Sequence, residues 1–171
     1  MKIFTSIHVL ISLAGILSGL CVLFGLLTAK RLEGWTKLFL TTSVGTSATG
    51  FLFPFHGLTP AIVAGILSLL VSAAAIFARY GRQLAGAWRA TYVISAVFAL
   101  YLNVFVLVAQ SFLHVPALKA IAPTQNDPPF KLTQLVVLVA FIALAMAGVL
   151  RFRKEAMPKL NKPNNKERKS S

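Results

Sequence analysis

Acidic residues are scarce in this chain: four aspartates and glutamates stand against 17 lysines and arginines in 171 positions. Charged residues of both signs make up 12% of the sequence, where soluble domains carry about a quarter. The single cysteine, Cys21, excludes an intrachain disulfide and a cysteine-based metal centre. No Asp, Glu, Lys or Arg is embedded in the middle of the long apolar runs, which argues against a proton-coupled pump or a charge-driven transporter. No serine has a histidine and acid nearby in sequence, so no catalytic dyad is legible. Internal repeats are also missing.

What is present is hydrocarbon. Hydrophobic residues make up 57% of the chain and the mean hydropathy is +0.77. This predicts an all-α integral membrane helix bundle with spans at about 5–28, 38–55, 59–78, 88–114 and 132–150. The first run is longer than a signal-peptide h-region and has no A-x-A site, so it reads as an uncleaved span. A net charge of +13 would point to nucleic acid in a soluble domain, but here the cations lie between and after the spans and record orientation. They cluster in the first connection (Lys30 to Lys37), the third (Arg79 to Arg89) and the segment from Arg151 onward. Five spans bring all three to one side, expected to be cytoplasmic, with the amino terminus outside; Lys2 opposes this weakly. Four spans is the alternative, if the second run is re-entrant. Residues 1–153 form the expected bundle. Residues 154–171 form an expected disordered basic tail that meets anionic lipid headgroups.

The fourth run, Trp88 to His114, organises the rest. At 100° per residue, Tyr92, Gln110 and His114 each fall within about 20° of Asn103, so the four share one stripe. Buried amides in hydrocarbon need partners, so other helices are expected to cover this stripe, or to enclose water beside it. The second run crowds Thr41, Thr42, Ser43, Thr46, Ser47 and Thr49 into two turns. Its hydroxyls are expected to bond back to i−4 carbonyls and form a small-residue packing surface; the other reading is a pathway lined by Thr42, Thr46, Thr49, Tyr92, Asn103 and Gln110. Gly15-x-x-x-Gly19 offers a close-approach surface for another helix. The five-span topology places His8, His56 and His114 at the outer face, where three imidazoles could hold copper, zinc or a haem iron. The alternative is that each has a separate interfacial role.

The segments WTKLFLTTSVGTSATGFLFPFHG, ARYGRQLAGAWRATYVISAVFALYLNVFVLVAQSF and APTQNDPPF resemble stretches of small multi-pass bacterial membrane proteins with no assigned activity. The resemblance implies a bacterial plasma membrane location and carries over no functional residue. The leading reading is a non-enzymatic membrane module or accessory subunit, with a membrane protein or a second copy as partner. The alternatives are a redox or metal-binding protein using the histidines, with haem or copper as cofactor, and passage of a small uncharged solute.

Overall fold

The computed structural model describes residues 2–52 and 60–154. Its regular structure is helical throughout: α1 (Lys2–Leu27), α2 (Glu33–Gly50), α3 (Pro60–Ile76, continued by a π-helical turn Phe77–Gly81), α4 (Trp88–His114), α5 (Pro116–Ile121) and α6 (Pro128–Lys154). The span at 88–114 matches the sequence expectation residue for residue, whereas α6 is longer at both ends than 132–150. The 115–131 connection, expected as a loop, contains α5 and the first turn of α6. The expected tail beyond Lys154, and His56, lie outside the described residues.

α1 and α2 form an antiparallel pair. Leu32 packs on Gly25 at one end, Thr42 packs on Gly15 midway, and Gly50 lies beside His8 at the other end. The 18 residues of α2 make a continuous rod about 27 Å long, enough to pair with α1 from the level of Gly25 to that of His8. It starts at Glu33 rather than Leu38, since a carboxylate in the first turn complements the helix dipole. α3 returns beside α2, with Phe51 against Gly65. α4 then runs back through the centre, touching α1, α2, α3 and α6. Five helices therefore lie side by side. Four of them are long and apolar enough to cross a membrane, at Ile3–Leu27, Ile62–Gly81, Trp88–His114 and Pro128–Phe152. α2 is the exception: its threonines, serines, Glu33 and Lys37 lower its hydropathy, and it packs between α1 and α3.

The two ends of the bundle differ. One carries His8, His114, α5 and the start of α6; the other carries Lys30, Arg31, Lys37, Arg79, Arg82, Arg89 and Arg151. At the basic end the turn into α4 is tight. Gln83 and Leu84 both take left-handed conformations (φ 47° and 59°), held because Leu84 is buried and its N–H donates to the Ala78 carbonyl at 3.0 Å. At the histidine end Asp127 Oδ2 accepts from the N–H (2.7 Å) and hydroxyl (2.9 Å) of Thr124, fixing the approach to Pro128. The core is concentrated around α4, with Tyr92, Val93, Ala99 and Leu100 nearly inaccessible. α6 lies at the edge, with 11% of the residues of its most apolar stretch buried against 50% for that of α4.

Candidate functional site

Polar side chains gather at three levels along α4. At the basic end the Tyr92 hydroxyl donates to Thr36 Oγ1 at 3.3 Å, because the Thr36 proton is already committed to the Leu32 carbonyl at 2.9 Å. The Arg79 guanidinium stands 5.2 Å from the Tyr92 ring centroid, and its Nη2 donates to Glu33 Oε1 at 3.3 Å. Arg79, expected at a loop boundary, is instead buried: its side chain is 5% exposed while that of Glu33 is 69% exposed. It continues the buried row of Ala64, Ser68, Ser72 and Ala75 along α3, a spacing of three and four residues that points inward. Arg82 stacks nearby over Trp88 at 5.2 Å and Phe77 at 5.7 Å.

At mid-bundle Asn103 Nδ2 donates to Ser43 Oγ at 3.0 Å, both residues buried. Gly15 lets α1 close over this contact, since a β-carbon there would come within 3.2 Å of Thr42 Oγ1 and 3.8 Å of Asn103 Nδ2. The Thr42 hydroxyl donates to Leu38 O at 2.7 Å and Thr49 to Gly45 O at 2.7 Å, the back-bonding expected of this run. Thr46, Ser68 and Ser72 keep buried hydroxyl oxygens with no partner among the described residues. Asn103 thus meets a serine in a direct helix-to-helix contact rather than facing an open lumen. Asn103→Leu is expected to lower stability by about 0.6 kcal/mol and at most about 1.7, read from unfolding of the purified protein in mixed micelles.

At the histidine end the stripe opens. Gln110 is exposed, contrary to the expectation that its face would be covered. At this level α4 packs through Phe112 against Phe130 and Ala122, and Gln110 lies about 200° round the helix from Phe112. His114 is exposed and its Nδ1–H donates to the Gln110 carbonyl at 3.0 Å. His8 is half-buried. Its Nδ1–H donates to Thr49 Oγ1 at 2.8 Å, the threonine proton being spent on Gly45. These two histidines lie at the same end, as the topology requires, each bonded to a group near it. No cluster of three His, Cys, Asp or Glu that could hold a metal occurs among the described residues.

Gly15 and Gly19, expected to offer a close-approach surface for another helix, meet helices of the same chain. A β-carbon on Gly19 would sit 2.6 Å from Leu100 Cδ1 and 2.9 Å from Phe39 Cε2, so α1, α2 and α4 converge there. Two features were missed in the sequence. One is Arg79. The other is Gln134, whose Nε2 donates to the Phe105 carbonyl at 3.0 Å and ties α6 to α4. Comparison with protein families, with curated proteins and with solved structures found no match for this chain.

Proposed function

We propose that this chain crosses a bacterial plasma membrane five times, amino terminus outside and basic end in the cytoplasm, and works there as a non-enzymatic membrane module or accessory subunit. The observation that carries this reading is the Asn103–Ser43 contact. The most central amide is spent on joining two helices, as are Thr36–Tyr92 and Gln134–Phe105 at other levels. Such bonds hold a bundle together without forming a conduit. Lys30, Arg31, Arg79, Arg82, Arg89 and Arg151 share one end and support the orientation, since cytoplasmic connections are enriched in lysine and arginine.

Two measurements test this reading. In proteoliposomes, glycerol-driven swelling is expected to match that of protein-free vesicles. A protein-dependent rate that Asn103→Leu abolishes would replace the module with a solute conduit. For sidedness, in a Cys21→Ser background, Thr124→Cys is expected to react with an impermeant maleimide in intact cells and Lys30→Cys only after lysis. The reverse pattern overturns the orientation.

A further inference from the structure

Between α4 and α6 runs a groove of about 500 Å³, within the range of small-molecule sites. Its walls are apolar and aromatic: Ile94, Val97 and Tyr101 on α4, and Phe141, Ala145 and Leu150 on α6. Tyr101 packs on Phe141 with ring centroids 5.8 Å apart at the end of the groove nearest mid-bundle. The α6 wall extends from Leu138 to Leu150, about 18 Å along the helix, slightly more than half of a hydrocarbon core about 30 Å thick. The groove therefore has the length of one leaflet, and it lies in the half of the bundle next to the basic end.

The helix periodicity marks where it leads. Position 153 comes seven residues after Met146, about 20° from it round α6, and so continues the groove wall beyond Leu150. That position is an arginine. Arg151 lies about 140° from Met146 and donates instead to the Leu27 carbonyl at 3.4 Å. A leaflet-length apolar trough whose helix wall passes into an arginine position, on the end where cations far outnumber acids, is complementary to a chain ending in an anion.

We infer that the groove binds one acyl chain of an anionic phospholipid from the leaflet at the basic end, with the phosphate at position 153. This goes beyond the module reading, and binding in detergent tests it without reference to sidedness. The full chain, stripped of lipid, is titrated with phosphatidylglycerol and with phosphatidylcholine of the same acyl chains and read by native mass spectrometry. One phosphatidylglycerol is expected to bind about fivefold tighter than phosphatidylcholine, the preference of one basic residue at a headgroup. Ala145→Trp fills the groove and is expected to weaken both lipids at least about tenfold, a loss of about 1.4 kcal/mol. Ile142→Trp, at the exposed rim, does the same if Ala145→Trp does not fold. Arg153→Gln should remove the preference while keeping phosphatidylcholine binding, and Arg151→Gln should leave the preference intact. Equal affinity for the two lipids, unchanged binding in a folded groove-filling variant, or a preference that survives Arg153→Gln would each overturn the inference. So would a lipid-free dimer that Ala145→Trp dissociates, which would make a second copy the occupant.

Discussion

Arg79→Ala is expected to lower the unfolding free energy of the purified protein by about 2–4 kcal/mol, toward the range of large buried side chains cut to alanine. The side chain fills the space where α2 begins, the π turn closes and α4 begins, with Tyr92 5.2 Å and Tyr80 5.8 Å from the guanidinium carbon. Alanine removes that volume along with the cation–π contacts. Arg79→Met keeps most of the volume and no longer has to desolvate a charge. Replacing buried ionic groups by apolar ones of similar size is often neutral or better, so Met should cost no more than about 1 kcal/mol. Glu33 is 69% exposed, so Glu33→Gln should change stability by no more than about 1 kcal/mol, as for other solvated ion pairs. The order Ala well below Met, with Gln near wild type, is read from denaturant midpoints in mixed micelles. If Met proves as damaging as Ala, the charge itself holds this end together and packing is secondary.

Gly19→Val carries the second large effect. In an isolated helix, adding a side chain to a glycine gains up to about 1 kcal/mol. Here the added β-carbon alone would lie 2.6 Å from Leu100 Cδ1 and 2.9 Å from Phe39 Cε2, and both neighbours are 1% exposed with no room to withdraw. Overpacking of this kind costs about 1–3 kcal/mol for small additions, so Gly19→Ala should destabilise and Gly19→Val should reach or exceed the top of that range. Gly34→Ala is the control, since nothing lies within 4 Å of its β-carbon position. It is expected to be neutral or stabilising by up to about 1 kcal/mol. Equal midpoints for the Gly19 and Gly34 variants would mean that the α1–α2–α4 convergence is looser than its geometry.

These two sites differ in how far they could be read in advance. The Gly15/Gly19 spacing announces a close approach, but a spacing does not say whether the partner is another chain or the next helix of the same one. The short connection from Leu27 to Glu33 folds α2 back onto α1 and settles it. Arg79 carries a clearer sign: it follows Ala64, Ser68, Ser72 and Ala75 at helical spacing, so its inward direction is written in α3. What the spacing omits is the neighbour, because Glu33 is 46 residues away. The stripe of Tyr92, Asn103, Gln110 and His114 fails for a related reason. Periodicity assigns residues to a face, and that face is covered only as far as the neighbouring helices extend over it.

From sequence alone follow the all-helical membrane class, the central helix at 88–114 and the gathering of cations that the five-helix order brings to one end. Each depends on hydropathy, length or charge, quantities that neighbours along the chain already hold. Tertiary structure decided which polar groups meet: Ser43 for Asn103, Thr36 for Tyr92, Glu33 for Arg79, and the Phe105 carbonyl for Gln134. It also left the trough between α4 and α6 open, although both helices are apolar along its length. Hydrophobicity drives a segment out of water without direction, whereas a hydrogen bond or a groove wall requires two surfaces at a set distance, and only the packed chain supplies the second.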